Sequence, residues 1–86
     1  MKHDDLYLEI VTPDRIIYEG DVGLIQIPGE SGAFTILKHH APIIASLGKG
    51  EIRVIGKTGS EDLFKCNGGV LECQDNRVTI LIGGIE

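Results

Sequence analysis

The 86-residue chain has little of what marks a nucleic-acid-binding or membrane-spanning protein. It has no cluster of Lys or Arg, and its net charge of −5 repels phosphate backbones and anionic lipid heads. We therefore expect no direct nucleic-acid binding. No apolar run approaches the roughly 20 residues that span a bilayer, and the charged start is unlike a signal peptide. The sequence thus predicts a cytoplasmic chain without direct membrane insertion.

Cysteine is also scarce, since only Cys66 and Cys73 are present. In a reducing compartment the default for both is a free thiol, and we expect them to act as small apolar fillers of a core. Two cysteines are too few for a structural zinc site, and His3, His39 and His40 lack the paired spacing of one. The composition therefore predicts no metal and no cofactor.

What the chain does have is apolar residues that recur at every second position, which is typical of β-strands. In the last such segment, Val78, Ile80 and Ile82 alternate with Thr79 and Leu81. Apolar residues in both sets indicate that one face meets the core and the other meets a second surface. The predicted strands are 6–11, 15–18, 21–27, 33–37, 43–46, 50–56, 61–67, 69–74 and 77–82.

Glycine, proline and Asx residues separate these segments at intervals of about eight to twelve residues, as in sandwiches and barrels. We expect turns at 12–14, 19–21, 28–32, 47–50, 57–60, 67–69 and 74–76. Gly68 and Gly69 predict a bulge or a sharp bend, and Asp75-Asn76 predicts a tight turn with positive φ. No stretch has helical periodicity with caps. Residues 1–86 are therefore predicted to form one all-β domain.

Two motifs could carry chemistry, and neither does so convincingly. Gly56-Lys57-Thr58 is similar to the end of a phosphate-binding loop, but Glu51 stands where the loop needs glycine and a strand follows instead of a helix. A hairpin tip is the simpler interpretation. Lys57 at that tip is the only candidate for a biotinyl- or lipoyl-type carrier lysine, although its neighbours do not resemble the usual recognition sequence.

His39 and His40 are the second motif. If they lie on a strand, adjacent side chains point to opposite faces and cannot easily share a metal ion. A metalloenzyme that uses both histidines and a carboxylate is therefore the weakest alternative. The serines lack both a strand-turn-helix elbow and a nearby base. The residues alone predict a β-sandwich binding module and not an enzyme.

The order of the segments resembles the ATP synthase epsilon chain family. The resemblance is carried by LEIVTPD (8–14), YEGDV (18–22), PGESGAFTIL (28–37), HAP (40–42), GGVLE (68–72) and NRVTIL (76–81). It covers nearly the whole chain, in order and without large gaps. It implies a flattened antiparallel β-sandwich of about ten short strands, in agreement with the spacing of the turns.

The resemblance also implies a function in the F-type ATP synthase. In this family the domain is a non-catalytic rotor subunit of the central stalk, which grips the gamma subunit and rests on the ring of c subunits. Ion flow turns the ring, and the domain turns with gamma. The implied location is peripheral, at the cytoplasmic face of a bacterial inner membrane. No cofactor is implied.

Carried over by position, the family's contact residues fall into two sets. The c-ring-facing loop is Gly29, Glu30, Ser31, Gly32, Ala33 and Phe34. The gamma-facing residues are Thr12, Pro13, His40, Ala41 and Pro42.

Three positions depart from the family. The family usually has glycine at Thr35 and at His39, and the changes predict a more extended or stiffer chain there. An acidic residue that is common at the position of Ala33 is missing, and Glu30 is expected to supply the charge instead. Many family members continue into a helical hairpin that binds ATP or blocks rotation. The sequence stops at Glu86, and if this short length is natural, we expect inhibition by the hairpin and ATP sensing to be absent.

Overall fold

A computed structural model describes residues 5–83, and every regular element in this range is a β-strand, which confirms the all-β class. No helix that could cross a membrane occurs in the same range. The strands are β1 (Leu6–Val11), β2 (Ile16–Ile27), β3 (Phe34–Leu37), β4 (Ile43–Gly56), β5 (Glu61–Gln74) and β6 (Arg77–Ile82). His3 lies outside the described residues, so the prediction that it binds no metal stays a prediction.

The strands follow the order β1-β6-β5-β4-β2-β3, and an additional pairing of β1 with β2 closes the sheet on itself. The result is a barrel-like sandwich, in which closure removes most free strand edges. β1 and β6 are parallel, from Tyr7 opposite Arg77 to Val11 opposite Leu81. The other pairings are antiparallel, so the predicted purely antiparallel sandwich is wrong at this one pair.

The described range contains six strands and not about ten, because the three longest strands run through breaks that the sequence predicted to be turns. β2 continues through 19–21, β4 through 47–50 and β5 through 67–69. At the last two positions, Leu47 pairs with Gly69 and Lys49 pairs with Asn67 on either side of the bend. Glycine lets a strand change direction there while it keeps its register, so no bulge is needed.

The core lies between the two halves of the folded sheet and is almost wholly aliphatic. It contains Leu6, Leu8, Ile10, Val22, Ile25, Ile27, Ile36, Leu47, Ile52, Val54, Cys66, Leu71, Cys73, Val78, Ile80 and Ile82. Both cysteines are free and buried, as expected for apolar fillers. Tyr18 and Phe64 pack edge to face at one margin, with ring centroids 5.6 Å apart. This contact joins β2 to the first half of β5, where no hydrogen-bonded ladder links them.

Two of the predicted turns are fixed by short polar side chains. The Thr12 hydroxyl accepts hydrogen bonds from the backbone N–H groups of Asp14 and Arg15, both at 3.2 Å. Asp75 and Asn76 have φ values of 52° and 64°, which confirms the predicted turn with positive φ. Lys57 lies in the turn between β4 and β5, as expected of a hairpin tip.

Candidate functional site

The loop at residues 29–34 is an exposed segment with a fixed base. The Gly48 N–H donates to the Pro28 carbonyl at 2.7 Å, and the Glu30 N–H donates to the Ser46 carbonyl at 2.9 Å. These bonds hold the loop against the first half of β4. The side chains of Glu30, Ser31 and Ala33 at its tip are exposed.

Gly29 is required at the base of this loop by close packing. A Cβ atom at this position would lie 2.5 Å from the Gly32 carbonyl oxygen and 2.8 Å from the Phe34 ring. The ring therefore covers the glycine and is itself half-buried. An open groove of about 490 Å³ separates the loop from the start of β4, and Glu30, Phe34 and Ile44 are among its lining residues. All six residues of the predicted c-ring-facing loop are thus gathered in one place.

The predicted gamma-facing residues are divided between two places. Thr12 and Pro13 follow the end of β1, whereas the 40–42 segment adjoins Asn76, whose carbonyl accepts a hydrogen bond from Tyr7 at the start of β1. At about 3.3 Å per residue, the six residues of β1 place these sets roughly 17–20 Å apart. Thr12 is buried and its hydroxyl is used within the turn, so Pro13 is the more accessible of the first pair.

The two histidines lie in the connection between β3 and β4, outside both strands, as the predicted segments 33–37 and 43–46 imply. The strand geometry weighed against a shared metal ion therefore does not apply to them. His39 has φ of 68°, so the more extended chain predicted there is wrong; Thr35, in contrast, lies within the extended strand β3. The His39 N–H donates to the Asn76 side-chain oxygen at 2.6 Å. His40 Nδ1 lies 2.7 Å from the Ala41 carbonyl oxygen. Within residues 5–83 no three His, Cys, Asp or Glu side chains are grouped so as to hold a metal ion.

The most extensive surface feature is a row of apolar side chains that the resemblance did not supply. Val70, Leu81, Val11 and Ile16 lie opposite one another on β5, β6, β1 and β2, and we call them the apolar row. Leu81 is 52% exposed, Ile16 50% and Val70 43%, while Val11 is half-buried. In the sequence, this row was indicated only by Leu81, an apolar residue at an outward-facing position of an alternating strand.

A line of carboxylates runs beside the apolar row, two residues along β5, β6 and β1 and three along β2, where the β1–β2 ladder has a register shift. It consists of Glu72, Glu9 and Glu19, with Thr79 between the first two, and we call it the acidic row. Glu9 and Glu19 face each other directly across β1 and β2. The Tyr7 hydroxyl donates to Glu19 at 3.0 Å, and this bond is the main reason that the pKa of Tyr7 is raised. Within the described part of the chain, no Lys or Arg forms an ion pair with these three glutamates.

The opposite face of the sandwich differs in its charges. There Leu24, Ile55 and Leu37 lie side by side on β2, β4 and β3, and the exposed Leu63 lies on β5. Arg53 in the next register position pairs with Glu61 and also donates to the Gln26 side-chain oxygen at 3.1 Å. Arg53 thus has an acidic partner on this face. In the acidic row, by contrast, Arg77 lines the same open groove as Glu72 but forms no ion pair with any of the three glutamates.

A comparison with known proteins agrees with the geometry. Residues 5–86 match the family described as "ATP synthase, Delta/Epsilon chain, beta-sandwich domain". The ATP synthase epsilon chain of Campylobacter hominis is 40% identical over 82 residues, which are 94% of this chain and 63% of that protein. The epsilon chain of Chlorobaculum tepidum is 38% identical over 74 residues, which are 86% of this chain and 84% of that one. This chain thus spans three fifths to four fifths of these relatives.

Solved structures share the fold at low sequence identity. A chain of the Euglena gracilis mitochondrial ATP synthase (OSCP/F1/c-ring) aligns with a TM-score of 0.88 at 22% identity, over 98% of this chain and 54% of that one. A chain of the Tetrahymena thermophila mitochondrial ATP synthase central stalk/c-ring aligns with a TM-score of 0.80 at 18% identity, over 98% of this chain and 67% of that one. The chain therefore belongs to the ATP synthase delta/epsilon chain family, and residues 5–86 correspond to the β-sandwich domain of that family.

Proposed function

We propose that this protein is a central-stalk rotor subunit of an F-type ATP synthase, which couples rotation of the c-ring to the gamma subunit without catalysis of its own. The family match supports the proposal, as do the relatives named ATP synthase epsilon chain. Both similar structures are of mitochondrial ATP synthase assemblies that include the c-ring.

The apolar row is the observation that carries the proposal. Removing apolar surface from water stabilises a complex by about 25 cal/mol for each Å². Four outward apolar side chains in register therefore favour a partner that covers them. We assign the apolar row to the gamma subunit, together with Pro13 at one end of the sheet. The 40–42 segment at the other end stays a predicted gamma contact. A partner that reached both sets would cover the full length of β1.

The loop at residues 29–34 suits the second partner, the c-ring. Its tip is exposed and polar, and Glu30 offers the charge that the family usually places at Ala33. The hydrogen bonds at its base join the tip to β4, which runs through both halves of the sandwich. A lateral force on the tip would therefore reach the sheet directly and not through a flexible tether.

The location follows from these assignments. As part of the F1 sector, the chain is peripheral to the membrane and is held there by its partners. In a bacterium, the proposed position is the cytoplasmic face of the inner membrane.

The carrier alternative has less support. Lys57 does lie at a hairpin tip, but its ammonium group is 3.1 Å from the Asp5 carboxylate, and this contact is the main reason that the pKa of Asp5 is lowered. None of the relatives or similar structures described above is named as a carrier protein. An intact mass that showed a biotinyl or lipoyl adduct on Lys57 would favour the carrier.

A pull-down with the recombinant gamma subunit of the same organism tests the proposal. We expect the native chain to bind gamma at micromolar concentration or better. Leu81→Lys, which places a charge in the apolar row, should abolish binding, whereas Leu63→Lys on the opposite face should not. Failure of the native chain to bind gamma at micromolar concentration would overturn the proposal.

A further inference from the structure

The apolar row has the dimensions of a helix-binding surface. Adjacent strands are about 4.8 Å apart, so the four side chains on β5, β6, β1 and β2 span roughly 14 Å across the strands. An α-helix rises about 5.4 Å per turn, and it presents apolar side chains at i, i+4, i+7 and i+11 at nearly this spacing. A helix laid across the strands could therefore place one apolar side chain near each member of the apolar row.

The two flanks of the apolar row differ sharply, which sets how such a helix would lie. On one flank is the acidic row, displaced along β5, β6 and β1 by two residues or about 7 Å, and along β2 by three residues that include the register shift. On the other flank are Gly48, Gly68, Gly83 and Pro13, which carry no charge, and the exposed residues Asp14 and Arg15, whose opposite charges sum to zero. Side chains that leave a helix sideways reach about the distance of the acidic row, since the helix with its side chains is about 10 Å wide. Only one flank of the bound helix would therefore face a net charge.

The charges on that flank call for a cationic partner. Glu9 and Glu19 face each other across two strands, an arrangement of like charges that destabilises a sheet. Within residues 5–83 the nearest guanidinium on this face, that of Arg77, lies 5.7 Å from the centre of the Tyr7 ring and forms no ion pair with the acidic row. Lys or Arg side chains from a partner would relieve the repulsion and neutralise the row.

We propose that the apolar row and the acidic row together bind one amphipathic α-helix of the partner protein, which crosses the strands and carries Lys or Arg along one edge. The inference rests on the proposed function, since the helix would belong to the subunit that carries this domain in the stalk. It goes further by specifying the element, its orientation and the position of its basic residues.

Binding of recombinant gamma, measured at increasing salt concentration, tests the charge requirement. For the native chain the affinity should fall as salt rises, because screening weakens contacts between exposed charges. In the triple variant Glu9→Gln/Glu19→Gln/Glu72→Gln, the affinity at low salt should fall about tenfold and most of the salt dependence should disappear. The matched control Glu51→Gln/Glu61→Gln/Asp62→Asn removes three carboxylates elsewhere and should retain the native salt dependence.

A photo-crosslinking amino acid at position 81 tests the helix itself. The cross-links should fall on gamma residues spaced three or four apart in one segment, with Lys or Arg on one side of that segment. Cross-links confined to a strand or loop would overturn the inference, as would a triple variant that binds with native affinity and salt dependence. Because both results require that gamma binds, they leave the proposed function standing. Absence of any binding by the native chain would remove both.

Discussion

Among single residues, Asn76 has the greatest influence on the connections between strands. Its side-chain oxygen accepts the His39 N–H at 2.6 Å, and its backbone carbonyl accepts the Tyr7 N–H at 2.8 Å. The residue is buried and has φ of 64°. The turn between β5 and β6 thereby holds the β3–β4 connection and the start of β1, so Asn76 joins three parts of the chain that are distant in sequence.

Two substitutions separate the roles of this residue. Asn76→Gly removes the acceptor but tolerates the positive φ, and should cost about 1–2 kcal/mol of the free energy of unfolding. Asn76→Ala removes the acceptor and also strains the backbone, and should cost about 2–3 kcal/mol. Urea unfolding of the three proteins measures both values. Equal losses in the two variants would show that the left-handed conformation is not strained by a Cβ atom.

Cys73 should make the free energy of unfolding depend on pH in the alkaline range. Burial raises the pKa of its thiol above the ordinary value, so the thiolate is disfavoured in the folded state and the thiol ionises more readily in the unfolded chain. The corresponding stability is fully present below the unfolded pKa and is lost as the pH rises through the folded pKa. We expect the free energy of unfolding to fall above about pH 9 with a slope of at most about 1.4 kcal/mol per pH unit from this group.

Urea unfolding at pH 8 to 10.5 measures this slope, with Cys73→Ala as the control. The variant should be less stable at neutral pH, because it loses buried volume, but its stability should fall less steeply. Parallel pH profiles would contradict the assignment to Cys73. The pKa of Tyr18 is also raised, first by burial and then by the charge of Asp62, so both proteins should lose further stability above about pH 10.

The turn chemistry of these residues could be predicted from sequence, whereas their partners could not. Asp and Asn tolerate positive φ, and this local preference was sufficient to place the turn at 75–76. The acceptor role of Asn76 depends on His39, which is 37 positions away in sequence. The same distance applies at His39, where the loss of the family's glycine predicted a more extended or stiffer chain. The residue instead keeps a left-handed conformation, and its N–H bonds to the distant Asn76.

Among the strands, β5 is the one most constrained by its bend. Gly68 and Gly69 have φ values of 119° and 151° and lie where β5 passes from one half of the sandwich to the other. A Cβ atom on Gly69 would lie 2.2 Å from the Leu81 carbonyl oxygen of β6, whereas one on Gly68 would have no neighbour closer than 3.7 Å. The bend therefore depends on two glycines for different reasons.

Alanine substitutions distinguish the close contact at Gly69 from the unfavourable φ at Gly68. Gly69→Ala must displace the backbone of β6, and should cost about 3 kcal/mol or more. Gly68→Ala imposes only the unfavourable φ, and should cost about 1–2 kcal/mol. Thermal and urea unfolding of both variants measure the difference. A Gly69→Ala protein that is no less stable than Gly68→Ala would contradict the close approach of β5 and β6 at this position.

The strand pattern itself was predictable because alternation is a local signal. The predicted segments 6–11 and 77–82 coincide with β1 and β6, and the other predicted segments lie almost entirely within strands. The count was too high because Gly20, Gly48 and Gly68 were interpreted as ends of strands. Whether a glycine ends a strand or only bends it depends on the neighbouring strand, which the sequence does not display.

For the molecule as a whole, closure of the sheet predicts cooperative unfolding. β2, β4 and β5 run through both halves of the sandwich, so neither half can open without loss of pairing in the other. We expect a single urea transition, with the same midpoint by far-ultraviolet circular dichroism and by tyrosine fluorescence, which reports partly on the Tyr18–Phe64 contact. Two separate midpoints would show that the halves unfold independently.

The interaction surfaces could be predicted only in part. The loop at residues 29–34 is contiguous in sequence, so its residues were found together and the structure keeps them together. The apolar row draws one residue from each of four strands, and the parallel pairing of β1 with β6 brings Val11 beside Leu81. Pairing between strands so far apart in sequence leaves no local signal, so the sequence indicated a second apolar surface without indicating its extent.

The parallel pairing of β1 and β6 also has a mechanical consequence. Because the two strands run in the same direction, a pull at Leu6 and an opposite pull at Ile82 would slide one strand along the other. Every hydrogen bond between them would then be loaded at once, in shear, instead of opening one after another like a zipper. In the proposed rotor role, a domain stretched along this direction should therefore resist forces that would peel open a hairpin of the same length.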